Sequence, residues 1–517
     1  MKTFIIPALV AACLTACFRD KGNYTYKEVS TVTITNLQES YTRVSMQDTL
    51  RIDPGLVSTN PEDTFACLWL RLPAGNLHIS ESDTLGTDVI LDHPVTLRQG
   101  AYWLALRVTN LANGMELYQE FQLFVTTRFS VGFYLLKDAG GYSELDLHLP
   151  DGDVMPDLLE RSLGERVNGA PLTLGVTLGY TYFNPEAMRS ERSHVINICT
   201  ETGEMQILRV EDMAPIYGHD DLFIGNVPDD VPYYLTTSGN GLMYISSEGV
   251  SFASVSSSTG TGRIGFPSTI TGGYAVNPRS LLVGQTLYFF DDLNGRFITA
   301  NVNGVLNAYT ETNQGGATMP YSPNNITREL LYFGHNFTAQ IEHEGYAIFR
   351  DATGKRYLYR LLLNNAQFYN PVRDVVEIPS STRFSQATAF ATNELDGRLI
   401  YFLHDNKLYL YDVEQKTEEL LAPAGIDASA EITYFANRYY INPEDAPANF
   451  NYLAIATRDA AGRYKVHLYQ TLGGKPLGAP VRVLEGNGVV RKMQYMSNQL
   501  SSSYLVNNKI NHIPLSM

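Results

Sequence analysis

Three evenly spaced aspartates constrain the fold of this chain more than any other feature. Asp351, Asp405 and Asp459 stand 54 and then 54 residues apart, and each sits in a turn between two strand-patterned runs: 346–349 and 356–359, 399–404 and 407–411, 453–458 and 462–464. A hairpin that recurs at such a period cannot bury its apolar face alone, so successive copies must pack on one another. With two to four short strands per unit, the spacing predicts four-stranded sheets repeated around an axis, a β-propeller. Weaker copies centre on Asp291, on Gly239-Asn240-Gly241, on Glu201-Thr202-Gly203 and on Asp138-Ala139-Gly140-Gly141. Residues 127–517 number 391, and division by 54 gives a little over seven, so about seven blades are expected, with six and eight open. The content of 33 Tyr, 23 Phe, 41 Gly and only 2 Trp fits strands and turns, and predicts an all-β chain. Only residues 155–163 read as helical, one or two turns between blades.

The segment before residue 127 has a different texture. Residues 1–16 combine Lys2, an apolar run at 4–12 and small residues before Cys17, the layout of a secretory leader too short to span a bilayer. Residues 17–27 are polar and suit a tether. From 28 to 126 short alternating strands predict a β-sandwich of immunoglobulin type: one strand carries Trp69, and in another Tyr102, Leu104, Leu106 and Val108 share a face.

Leu14-Thr15-Ala16-Cys17 resembles the lipobox of bacterial lipoproteins, which implies lipidation of Cys17 and cleavage before it. Taken with the start Cys17-Phe18-Arg19-Asp20-Lys21-Gly22-Asn23-Tyr24, the sandwich bearing Trp69 and Tyr102, and the run Val131-Gly132-Phe133-Tyr134-Leu135-Leu136-Lys137, the whole chain resembles the PKD-like family of lipoproteins from Bacteroidetes. The resemblance implies an immunoglobulin/PKD-like sandwich, an outer-membrane lipoprotein and an accessory role beside a SusC/SusD-type transporter, with no catalytic residues and no cofactor. A short acidic motif after the lipid cysteine directs such proteins to the cell surface. Here Arg19-Asp20-Lys21 supplies one acid, and a surface-facing protein attached to the membrane by its lipid alone is expected.

The residues themselves narrow the chemistry. A net charge of −16 with scattered basic residues argues against nucleic acid as a partner. Cys67 and Cys199, in apolar runs, read as buried hydrophobes. Gly260-Thr261-Gly262-Arg263-Ile264-Gly265 has dinucleotide-binding spacing, but Phe266-Pro267 follows where a helix is required, so a loop is expected. His219 with Asp220 and Asp221, His335 with Glu342, His343 and Glu344, and the acids Asp146, Asp151, Asp153 and Asp157 lack metal-site spacing, and no metal is expected. No His-Glu-x-x-His or Gly-x-Ser-x-Gly motif is present, although a propeller glycosidase draws its two carboxylates from distant blades.

Aromatic side chains are the remaining lead. Tyr439, Tyr440 and Phe450 flank a loop-like stretch, and Tyr233, Tyr234 and Tyr321 resemble them, so these six are the candidate platforms for an oligosaccharide or peptide. The expected function is a non-catalytic, lipid-anchored accessory to nutrient import that binds such a ligand or docks on the transporter. A propeller hydrolase acting on an imported polymer and a structural scaffold of a transport complex are the alternatives.

Overall fold

The computed structural model describes residues 29–72, 82–238, 241–254, 260–283, 286–301, 303–337, 343–363, 368–395, 398–441 and 448–497; Cys17 and residues 442–447 of the aromatic stretch lie outside them. The chain divides into two compact units, one ending at Thr126 and the other beginning at Thr127.

The first unit is a β-sandwich. One layer has five strands in the order Ser40–Val44, Glu116–Thr126, Gly100–Asn110, Phe65–Arg71 and Asp83–Gly86. Its partner layer consists of two short ladders, Thr49–Ile52 with Leu91–Pro94 and Val32–Ile34 with Leu56–Ser58. The period of two in the sequence becomes the core: Leu104, Leu106, Val108, Phe121 and Leu123 face Leu50, Ile52 and Leu91. Trp69 sits at the centre, its ring edge-on to Phe121 at 6.1 Å. Its indole N–H donates to the Asp88 carbonyl at 2.9 Å, which satisfies the one polar atom this ring brings into the core.

The second unit is a seven-bladed β-propeller. The innermost strands, blade by blade, are Val489–Met496, Pro171–Asn184, Pro232–Ser238, Val276–Val283, Glu329–Phe337, Ala389–Thr392 and Glu431–Tyr440. Blade 1 is made from both ends of the unit, because Val489–Met496 pairs antiparallel with Gly132–Asp138. Inner strands of neighbouring blades touch around the ring, and blade 3 reaches blade 4 through its second strand, Gly241–Ser246. Apolar layers fill the joints, as where Phe290 meets Phe349 at 5.1 Å between blades 4 and 5.

Asp351, Asp405 and Asp459 each join the second and third strands of blades 5, 6 and 7, which are equivalent positions in three consecutive blades. Asp291, Glu201 and Asp138 open the same turn in blades 4, 2 and 1. Gly239 and Asn240 lie outside the described residues, between the first and second strands of blade 3, and the equivalent turn of that blade is Ser247-Glu248. A two-residue hairpin turn looks alike in sequence wherever in a blade it falls. The expected helical segment is the short helix Leu158–Leu163, while Met155 belongs to a strand. Buried Glu144 accepts the free helix amides of Leu159 at 2.6 Å and Glu160 at 3.1 Å.

Candidate functional site: the propeller channel and its lower rim

All seven inner strands run in the same sense around the axis, so their ends gather on one face, the lower rim. There, polar side chains latch blade to blade. The Tyr332 hydroxyl of blade 5 accepts the Thr392 amide of blade 6 at 2.6 Å, and Asn336 Nδ2 donates to the Asn393 carbonyl at 2.9 Å. From blade 7, Asn437 Oδ1 accepts the Glu394 amide at 3.0 Å, and the Tyr439 hydroxyl donates to Glu394 Oε2 at 2.7 Å. Glu394 is 5% exposed, and burial raises its pKa to about 7 against the opposing pull of Tyr439 and Arg438. His335 Nε2 lies 3.9 Å from the same carboxylate oxygen. Burial, with a smaller push from His343, lowers the His335 pKa to about 3, so the imidazole is neutral there.

Three cations stand on the inner strands of blades 4, 7 and 1. Arg279 of blade 4 and Arg438 of blade 7 each act on the charge of Lys492 of blade 1, as does its chain neighbour Arg491. Blades 1 and 4 are three places apart on a ring of seven, so Lys492 and Arg279 face each other across the axis rather than through a joint. Burial first, then these guanidinium groups, lower the Lys492 pKa to about 8. Burial lowers the Arg279 pKa, and two carboxylates pull against it: Glu329, which also accepts Arg350 Nε at 2.9 Å, and Asp292, which also accepts Asn277 Nδ2 at 2.8 Å. Arg438 gives its Nε to the Tyr434 hydroxyl at 2.9 Å. Tyr234 of blade 3 is 3% exposed; burial first, then Cys199 of blade 2, raise the pKa of its hydroxyl against the weaker opposing pull of Arg438, and the hydroxyl has no hydrogen-bond partner among the described residues. The Tyr234 ring packs against Gly175 of blade 2, where an added Cβ would meet Tyr234 Cε2 at 2.9 Å and Asn197 Oδ1 at 2.4 Å.

The aromatic candidates divide by place. Tyr439 belongs to this region, and Tyr234 packs against blade 2. Tyr440 is 2% exposed in the joint between blades 7 and 1, where its hydroxyl meets Ser497 Oγ at 3.1 Å and its ring meets Tyr495 at 5.2 Å. Phe450 joins the same cluster, 5.4 Å from Phe133 and stacked on Tyr452 at 4.6 Å. Tyr233 and Tyr321 are half-buried against apolar layers elsewhere. Tyr234 and Tyr440 therefore present no open ring face as platforms, because the twist between neighbouring sheets leaves a wedge that large rings fill.

Sequence reading missed Glu394, Arg279, Arg438 and Lys492. The available signal was a charged residue inside an otherwise apolar inner strand, as Arg491-Lys492 in Val489–Met496. The other motifs settle into structure. Gly262 offers its carbonyl to the Tyr180 hydroxyl in a loop docked on blade 2. His219 lies between Asp230 at 2.9 Å and Tyr244 at 3.1 Å instead of in solvent. Asp146 is buried against Lys137 Nζ at 2.8 Å. Among the described residues no group of three or more His, Cys, Asp or Glu could hold a metal ion. Cys67 and Cys199 are buried free thiols, and burial pushes Cys199 up to about 12.

The model of the PKD-like family matches residues 17–171, the sandwich and onward through the outer strands of blade 1, so the chain carries a PKD-like N-terminal region. Curated proteins offer no match in sequence. Among solved structures, the chain is similar to a quinonprotein alcohol dehydrogenase-like protein from Bacteroides thetaiotaomicron, at 11% identity over 90% of this chain and 97% of that one, TM-score 0.38. It is also similar to apo AztD from Citrobacter koseri, at 11% identity over 83% and 100%, TM-score 0.34. A third likeness is to the WD40 domain of SCAP from fission yeast, at 7% identity over 63% and 74%, TM-score 0.32.

Proposed function

We propose that this chain is a non-catalytic, lipid-anchored protein of the outer membrane, facing the cell surface, that serves as accessory to a SusC/SusD-type importer by binding oligosaccharide or peptide, or by docking on the transporter. The observation that carries the binding reading is that Arg279, Arg438 and Lys492 come from three different inner strands of a closed ring, so recognition groups are held in fixed positions before a ligand arrives. Such preorganisation lowers the ordering cost of binding. A weak binder tethered beside an importer profits from raised effective concentration. Cys17→Ala should abolish fatty-acid labelling, and the wild-type protein should copurify with a SusC/SusD-type pair while leaving oligosaccharides and peptides chemically unchanged. Label retained on the variant, or no copurification from native membranes, would overturn the reading.

One observation favours a hydrolase instead. Glu394, with a pKa near 7, has the protonation expected of a general acid. Turnover of a glycan or peptide that is lost in Glu394→Gln would establish that alternative.

A further inference from the structure

The face of blade 3 opposite the lower rim holds a cavity of about 390 Å³. Three segments enclose it: residues 228–230 before the inner strand of that blade, the turn 246–251 between its second and third strands, and the link 267–274 into blade 4. Ser246, Val250 and the Asp230 side chain, each no more than 2% exposed, form its floor, whereas Glu248, Thr269 and Gly273 are exposed at its mouth. One wall is tied in place. The Tyr274 hydroxyl accepts the Val250 amide at 2.8 Å and donates to the Ser268 carbonyl at 2.9 Å, and Ser268 gives its own amide to the Val250 carbonyl at 2.7 Å. Glycine at 249 lets the ring come so close, since an added Cβ would lie 2.7 Å from that hydroxyl. Two carboxylates line the cavity, and no basic side chain does. Asp230 Oδ1 is held by His219 Nε2 at 2.9 Å and the Tyr244 hydroxyl at 2.7 Å, while Oδ2 has no hydrogen-bond partner among the described residues. The same holds for the Glu248 carboxylate and the hydroxyls of Ser251, Ser268 and Thr269. A withdrawn carboxylate oxygen without a donor opposes folding until something supplies one.

We propose that this cavity binds the end of a neutral oligosaccharide, with sugar hydroxyls donating to Asp230 and Glu248 and accepting from the hydroxyls of Ser251, Ser268 and Thr269. Carboxylates only accept, whereas serine and threonine hydroxyls also donate, so the lining calls for groups that do both; sugar hydroxyls do, and an ammonium does not. Two carboxylates without a basic lining residue disfavour uronic acids and phosphorylated ligands through like-charge repulsion. Val250, Pro267, Ile270 and the Tyr274 ring supply apolar surface for the C–H faces of a pyranose. The volume lies near the lower limit of small-molecule sites, about 300–1,000 Å³, so the terminus of a chain enters and not its length. The proposal rests on the binding reading above, narrows its ligand class to saccharide and sets the site apart from the cations of the inner strands.

The test is calorimetric titration of the purified protein, free of sugar-based detergent, with maltotriose, cellotriose, mannotriose and galactotriose, against trigalacturonate and trialanine. At least one neutral trisaccharide should bind, and the acidic sugar and the peptide at least about tenfold more weakly. Asp230→Asn should weaken that trisaccharide about tenfold and Glu248→Gln about threefold or more. Asp230 also holds His219 and Tyr244, so its variant can lose structure. Glu248 is exposed, and Glu248→Gln should keep the wild-type melting temperature while binding less tightly. Binding of none of the four trisaccharides, or tighter binding of trigalacturonate or trialanine, overturns the proposal. Trisaccharide binding that both variants leave unchanged also overturns it, and leaves the binding reading intact at another place. Copurification with the transporter pair is read separately, so an importer accessory without this sugar site, and a sugar site without the importer, give different results.

Discussion

The Tyr464 hydroxyl donates to Asp146 Oδ2 at 2.7 Å, joining two residues 318 positions apart across the seam where blade 7 meets blade 1. On its other side the same hydroxyl meets His148 Nε2 at 2.9 Å, and Asp146 in turn holds Lys137 at 2.8 Å, so one buried hydroxyl organises an ion pair and an imidazole at the point of ring closure. Asp146 and His148 alternate with Leu145 and Leu147 on the strand Tyr142–His148, which sends the polar pair to the seam and the leucines to the opposite joint.

Tyr464→Phe should destabilise the propeller by about 1–3 kcal/mol in urea unfolding, because it leaves buried polar partners unsatisfied. The seam should also be acid-sensitive. Burial lowers the His148 pKa to about 4, whereas an unfolded histidine titrates near 6.5. Between these values the unfolded chain binds a proton that the folded chain refuses, so stability falls as pH drops from about 6.5 toward 4. His148→Gln should flatten unfolding free energy across that window; an unchanged slope would contradict the assignment.

Glu394 titrates in the opposite sense. Its folded pKa of about 7 lies above the ordinary 4.5, so its contribution is fully present below about 4.5 and is lost as pH rises through 7. Glu394→Gln keeps an acceptor for Tyr439 and removes the charge. Its stability relative to wild type should improve from pH 5 to pH 8, by up to about 3 kcal/mol, as measured by paired denaturant curves.

The repeated turns share a position but not a chemistry. Asp351 Oδ1 accepts the amides of Thr353 at 2.9 Å and Lys355 at 3.0 Å, and Asp459 Oδ1 accepts those of Ala461 and Arg463, each at 2.9 Å. Asp405 and Asn406 instead form a two-residue turn with φ of 49° and 54°, pinned by Asn406, which donates to the Ala430 carbonyl and accepts the Ile432 amide, each at 2.8 Å. Asp351→Ala and Asp459→Ala should therefore lower the melting temperature. Asp405→Gly should be neutral or stabilising, while Asn406→Ala should cost about 1 kcal/mol. An Asp405→Gly variant that melts below Asp351→Ala would refute the distinction.

That difference also shows how far the sequence could be read. Periodicity revealed the blades because turn residues and alternating apolar positions are local, and Asp351, Asp405 and Asp459 mark their turns whatever hydrogen bonds they make. Trp69 and the 104–108 alternation located the sandwich core for the same reason. The channel was hidden because Arg279, Arg438 and Lys492 are brought together only by ring closure, and nothing near any of them in sequence announces the others. Tyr440 misled in the reverse direction: a pair of tyrosines before a long loop resembles a platform, but the second fills the joint to blade 1. Glu394 lies just past the shortest inner strand, Ala389–Thr392, where it reads as an ordinary turn acid.

Pairing Val489–Met496 with Gly132–Asp138 has a consequence for synthesis. The strand that completes blade 1 is translated after every other strand of the propeller, so through most of elongation Gly132–Asp138 keeps an unpaired row of amides and carbonyls on one side. Exposed strand edges are templates for pairing with other chains. A product that stops short of Met496 would therefore leave the Gly132–Asp138 edge open to its neighbours, whereas the finished chain covers that edge with a strand of its own.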